Sequence, residues 1–161
     1  MDKAKGNGRC WLDPASVTPR IGSIYPKPFD APVAGREKRA LGDPLGLTQF
    51  GVNLTTLPPG SWSSQRHWHA NEDEFIYVIE GEITLVTDEG ETVLRQGMAA
   101  GFPAGKPDGH HLVNRGDTPA LYLEVGTRCA TEVAHYSDVD MAARKEGGRF
   151  VFTRKNGEPY P

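Results

Sequence analysis

The stretch RHWHANEDEF, Arg66 to Phe75, places two histidines and three acids within eight positions. In an extended strand, residues i and i+2 project to the same side about 6.5–7 Å apart, so His67 and His69 can converge on one ion. By the same parity Arg66 and Trp68 face away from them. If Ala70–Asp73 is a hairpin loop, the returning strand brings the carboxylate of Glu74 opposite the pair, and Glu72 and Asp73 become solvated turn residues. A further adjacent pair, His110 and His111, follows about forty residues on and can supply one more imidazole, because neighbours in a strand face opposite ways. Three neutral imidazoles and a carboxylate suit a divalent transition metal (Mn, Fe, Zn, Ni, Co or Cu), and a six-coordinate ion would keep two positions for substrate or water.

Strands must position such ligands, and the chain is written for strands. From about residue 47, short apolar runs alternate with turn chemistry such as Pro58-Pro59-Gly60, Glu80-Gly81, Asp88-Glu89-Gly90, Gln96-Gly97 and Asn114-Arg115-Gly116-Asp117. Runs at Thr48–Leu57, Phe75–Glu80, Glu82–Thr87, Thr92–Leu94, His110–Asn114 and Ala120–Val125 predict an antiparallel, all-β sandwich or barrel. Residues 1–46 carry prolines at 14, 19, 26, 28, 32 and 44, and read as an extended N-terminal arm packing on the barrel, with one helical turn near Val33–Leu41. Residues 127–161 read as a tail of the same domain, in which Ser137-Asp138 caps a short helix through Glu146 before a last strand at Phe150–Thr153.

Composition excludes several roles. With 18 basic and 21 acidic residues, net charge −3 and no long block of one sign, the chain has no field for gripping a phosphate backbone, so nucleic acid is not an expected partner. No apolar run approaches the roughly 20 residues needed to cross a bilayer, and the start MDKAKGNGR lacks the apolar core of a signal peptide. A soluble cytoplasmic protein is expected, with Cys10 and Cys129 as free thiols. In the Phe75–Ile79 strand both alternating faces are apolar, so something must cover the outside, and a homodimer is the expected solution.

Gly60, His67-Trp68-His69, Glu74 and Gly81, followed by Gly97, Pro103, Gly105, His110 and Asn114, resemble the two sequence motifs of the cupin superfamily. The resemblance covers roughly residues 47–126. One departure stands out: four residues, Lys106-Pro107-Asp108-Gly109, separate Gly105 from the histidine where the family normally has two. The spacing to Asn114 puts His110 rather than His111 in the ligand position. The resemblance implies a jelly-roll β-barrel enclosing a metal bound by His67, His69, Glu74 and His110.

Cupins serve many chemistries, so the reaction must be argued from the site. An ion with open positions could polarise the carbonyl of a hydroxy-carbonyl compound and acidify the adjacent C–H, the logic of an aldose–ketose isomerase. Small bacterial cupins grouped with sugar-phosphate isomerases are those the chain resembles. The acid/base partner is left among Glu124, Tyr122, His111 and Glu80, and Lys106 is the candidate cation for a substrate phosphate. A non-haem metal-dependent oxygenase and a non-catalytic carbohydrate- or small-ligand-binding protein are the alternatives.

Overall fold

The computed structural model describes residues 10–160; the polar start, residues 1–9, and residue 161 lie outside them. Its strands in chain order are β1 (Arg20–Ile21), β2 (Glu37–Ala40), β3 (Phe50–Leu57), β4 (His67–His69), β5 (Glu74–Glu80), β6 (Glu82–Thr87) and β7 (Gly90–Arg95). They continue with β8 (Ala99–Phe102), β9 (His111–Val113), β10 (Ala120–Thr127), β11 (Val133–Tyr136), β12 (Ala142–Glu146) and β13 (Arg149–Thr153). Helix among the described residues is confined to two 3-10 turns, Pro14–Ser16 and Ala31–Val33.

The strands form a six-stranded sheet in the order β1-β2-β3-β10-β5-β8, a four-stranded sheet β13-β12-β11-β4 and a three-stranded sheet β7-β6-β9, all antiparallel. The smaller sheets are joined where His67 bridges His110 and Trp62 bridges Val113. Together they make the second wall of a jelly roll. Leu57, Ile76, Val78 and Tyr122 from the large sheet bury against Ile83, Leu94 and Leu112 from the three-stranded one. Removing such a packed side chain, as in Ile76→Ala, costs about 2–5 kcal/mol because the cavity only partly collapses.

Period-two alternation decides which side chains point in. On β5, Glu74, Ile76 and Val78 face the interior while Phe75 and Tyr77 stand on the outside, 44% and 42% exposed. The turn between β5 and β6 needs Gly81, whose φ is +77° and whose added Cβ would come within 3.1 Å of the Pro119 carbonyl oxygen.

Arm and tail are woven into the sheets more deeply than the sequence implies. The arm supplies β1 and β2, paired in register onto β3, and the helical turn expected near Val33–Leu41 is only the 3-10 turn ending at Val33, with strand from Glu37. The expected helix from Ser137 to Glu146 is absent. Asp138, its proposed cap, is bound to Arg66, and Ala142–Glu146 pairs on both edges, with β11 and β13. Two flanking strands and the burial of Ala143 beside Met141 and Tyr136 override the helix propensity of AARKE.

Candidate metal centre and its cavity

His67 and His69 sit at the ends of β4, whose register with β11 pairs His67 with Tyr136 and His69 with Ala134. Trp68, between them, faces out and stacks on His135 with centroids 4.2 Å apart. The Ala70–Asp73 segment is not a hairpin loop. It crosses from the four-stranded sheet to β5 in the six-stranded one, so Glu74 reaches the histidines across the interior rather than from a neighbouring strand. Glu72 is not solvated either: it is buried, accepting from the Cys129 amide at 2.6 Å and from Lys145 Nζ at 2.7 Å. Asp73, exposed, accepts from the Ala104 amide at 2.8 Å and so ties the crossing to the end of β8.

His67, His69 and Glu74 converge, and His110 joins them through Glu74. His67 Nε2 and His69 Nε2 are 3.0 Å apart, His110 Nε2 is 3.1 Å from Glu74 Oε2, and His69 Nε2 is 3.5 Å from the same oxygen. The Lys106–Gly109 insertion loops out and leaves the His67–His110 bridge intact, with amide-to-carbonyl bonds of 3.1 and 2.8 Å in both directions. At Gly109 an added Cβ would meet Ser137 Oγ at 2.0 Å and Ser137 Cβ at 3.1 Å, so the serine would have to turn aside. The His110 ring is held by a parallel stack on Phe102, with centroids 3.6 Å apart.

The outer nitrogens determine what the inner ones can do. His67 Nδ1 lies 2.8 Å from the Gln65 carbonyl and His69 Nδ1 lies 3.2 Å from the Glu132 carboxylate. Both partners only accept, so both Nδ1 atoms carry the proton in the neutral rings. The two Nε2 lone pairs then face each other with no proton between them. A proton on His69 or a metal cation resolves this conflict, and the spacing suits a metal: metal–nitrogen bonds of about 2.0–2.1 Å put neighbouring ligands about 2.9 Å apart at right angles and about 3.3 Å apart in a tetrahedron. Residues and spacing thus fit a divalent metal.

Burial, reinforced by the positive charges that His69 and His110 would carry, pulls the His67 imidazole down to about 3, so the ring is neutral at physiological pH. Burial pulls His69 the same way, but the hydrogen bond and charge of Glu74, with Glu132 behind it, reverse the balance and raise it. For Glu74, burial pushes the carboxyl up, and hydrogen bonds from His110 and His69 outweigh that and hold it well below the usual carboxylate range.

Glu132 is the residue that sequence reasoning missed. Fully buried just before β11, it accepts from the amides of Ala70 at 3.0 Å and Asn71 at 2.9 Å as well as from His69. It fixes the His69 tautomer and the ring direction. Glu72, Glu132 and His69 also approach one another closely enough to suggest a second cation site, but the Lys145 ammonium on Glu72 already supplies the positive charge there. No local signal marks Glu132, because its partner lies 63 residues away in the chain.

The cluster opens onto a cavity of about 350 Å³ bounded by His67, His69 and Glu74 and, from the six-stranded sheet, by Arg20, Lys38, Asn53 and Glu124. Of the acid/base candidates, Glu124 lines this cavity, with Lys38 Nζ at 2.6 Å and Asn53 Nδ2 at 3.0 Å from its Oε1. Tyr122 is fully buried in the core below, and burial raises its phenol well above the ordinary value. His111 points the opposite way from His110, onto the Ser64 carbonyl at 3.0 Å and edge-on to Trp62. Glu80 is exposed at the far end of β5. Lys106 borders a separate cavity of about 230 Å³ on the other side of His69 and His110, and is paired with Asp108 at 3.2 Å.

A crystal structure of a sugar phosphate isomerase of the cupin superfamily from Silicibacter pomeroyi is 51% identical to this chain, covering 94% of it and 96% of that protein, with a TM-score of 0.90. The chain belongs to the cupin superfamily. The family model described as "Cupin domain" matches residues 53–126, spanning β3 to β10 and all four converging side chains. A structure from Acidithiobacillus ferrooxidans, provisionally named a sugar phosphate isomerase, superposes with a TM-score of 0.76 at 24% identity over 88% of this chain and 86% of that one. The polyketide cyclase RemF from Streptomyces resistomycificus superposes with a TM-score of 0.60 at 23% identity, over 73% and 78% of the two chains. At those identities the likeness is one of fold. No curated protein sequence matches the chain. As a cupin, this chain has the all-β jelly roll that its motifs imply, and no helix among the described residues is long and apolar enough to cross a membrane.

Proposed function

We propose that this cupin binds one divalent transition metal through His67, His69, Glu74 and His110 and acts as an enzyme on a small, oxygen-rich metabolite, with aldose–ketose isomerase-type chemistry. The observation that carries the reading is Glu124, a carboxylate on the same cavity as the histidine cluster and held in place by Lys38 and Asn53. The similarity to a sugar phosphate isomerase at 51% identity points the same way.

A bound metal would supply Lewis acidity, polarising a carbonyl and lowering the pKa of the neighbouring C–H. The chain's own residues do the rest. Glu124 takes the proton from the carbon bearing the hydroxyl and returns it to the former carbonyl carbon, while the hydroxyl proton passes to the carbonyl oxygen, so atoms balance and no oxidant is needed. Lys38 and Asn53 both donate to the same oxygen of Glu124 and fix its direction. Gln65 and Glu132 hold the outer nitrogens of His67 and His69, leaving their Nε2 atoms to the metal.

The test is incubation of the metal-loaded protein with a panel of aldose and ketose phosphates in D2O, followed by NMR. Deuterium entry at the carbon next to the carbonyl, with interconversion of the two sugars, is the expected result. Thermal stabilisation by the same compounds without exchange or turnover would instead mark a binding protein.

In the same reading the protein is a homodimer. The outer face of the six-stranded sheet carries Phe75 and Tyr77 beside Val125 and Leu123, which are in turn in register with Val52 and Leu54. A second copy of this chain would remove that contiguous apolar surface from water.

A further inference from the structure

The arm brings two arginines to the cavity without acids to match them. Arg20 on β1 lies directly opposite Lys38 in register, and both line the cavity. Lys38 is neutralised by Glu124, whereas the Arg20 guanidinium, at the exposed edge, forms no hydrogen bond or ion pair among the described residues. Arg36 also lines the cavity and is only 6% exposed. Its guanidinium reaches two backbone carbonyls, Gly22 at 2.7 Å and Ser63, and its Nε–H has no acceptor among the described residues. No carboxylate there forms an ion pair with it.

A buried guanidinium without a counter-charge is costly, and a second one beside it adds repulsion. Burial and the neighbouring Arg36 charge depress the Arg20 pKa and outweigh the attraction of Glu124, which is already engaged by Lys38, although an arginine stays charged throughout. Other cations at the cavity are already committed: Lys145 to Glu72, and Arg128 to Asp43 and the Leu47 carbonyl. Two positive charges from the arm therefore remain on the cavity that His67, His69 and Glu74 also line.

We infer that Arg20 and Arg36 form an anion subsite that receives the phosphate of a phosphate-monoester substrate while its carbonyl end lies at the histidine cluster. The pair matches a dianion, and the unengaged fork of Arg20 suits bidentate contact with phosphate oxygens. The inference rests on the metal-cavity reading for the placement of the other end of the substrate, but not for the binding of phosphate itself. It moves phosphate recognition from Lys106, which borders the other cavity and is paired with Asp108, to the N-terminal arm.

The test is calorimetric titration of inorganic phosphate into the full chain at fixed ionic strength, both metal-loaded and chelator-stripped. One phosphate per chain should bind in both forms. Arg20→Gln, an exposed edge change that leaves the fold intact, should weaken binding about tenfold or more, Arg20→Lys less, and Lys106→Gln not at all. Phosphate that fails to bind the wild type, binds Arg20→Gln equally well, or is lost in Lys106→Gln overturns the subsite. Elemental analysis of the same samples keeps the two ideas apart: absent metal with Arg20-dependent phosphate binding counts against the metal reading alone.

Discussion

Glu132, fully buried, accepts a hydrogen bond from Nδ1 of His69 at 3.2 Å while holding the amides of Ala70 and Asn71 at the end of β4. One carboxylate thus orients the ring and closes the backbone around it. Glu132→Gln keeps an acceptor for His69 and Ala70 but turns an NH2 group toward the Asn71 amide, and in the folded variant metal binding should weaken by about 10–100-fold, as loss of an orienting partner typically does. Competition against a chelator of known affinity checks this; unchanged affinity would reduce Glu132 to a purely structural role.

Glu124→Gln removes the proposed proton carrier but keeps the contact with Asn53. Turnover should fall by about 10²–10⁴-fold, the range for loss of a general base, with metal content unchanged. Steady-state kinetics paired with elemental analysis decides it. An active Glu124→Gln enzyme would move the proton transfer to another group.

Arg66 grips Asp138 through hydrogen bonds of 2.8 and 2.7 Å and also binds Asp88 and the Gly109 carbonyl, which anchors the loop before His110. The hydrogen bond from Arg66 holds the Asp138 carboxyl below its ordinary value of 3.8, against a smaller upward push from burial. A carboxylate with a depressed folded pKa stabilises above its unfolded pKa, and the contribution disappears as pH falls through the folded value. Asp138→Asn should therefore melt below wild type at neutral pH, with the gap closing once the pH drops below 3.8. The pair is half-exposed and its energy is modest. Thermal melts from about pH 3 to about pH 7 test the sign; a gap that widens in acid would contradict it.

The exposed rings of Phe75 and Tyr77 predict that Tyr77→Glu shifts the protein from dimer to monomer in sedimentation equilibrium. A wild-type monomer at all concentrations would end the dimer proposal.

Much of the site could be read from local pattern. The parity of His67, Trp68 and His69 survives in the structure, as does the choice of His110 over His111 for the interior, because period-two alternation is a property of the strand itself. The inward set Glu74, Ile76 and Val78 follows from the same rule. What could not be read were pairings made over long sequence distances. The route of residues 70–73 between two sheets, the buried role of Glu72 beside Lys145, and Glu132 behind His69 all depend on the tail folding back as β11 to β13. AARKE, read by propensity alone, favours a helix, and only the two strands flanking it make it a strand. β8, Ala99–Phe102, has no β-branched residue to announce it and pairs only with β5.

The proposed metal ion lies between two Nε2 atoms 3.0 Å apart, with Glu74 and His110 completing the set. Elemental analysis of the full chain, equilibrated with divalent transition metals and passed through a desalting column, tests it most directly. About one ion per wild-type chain is expected, and almost none in His69→Ala or Glu74→Ala variants that keep the wild-type circular dichroism spectrum. Wild-type protein without metal, or variants that retain it in full, would contradict it.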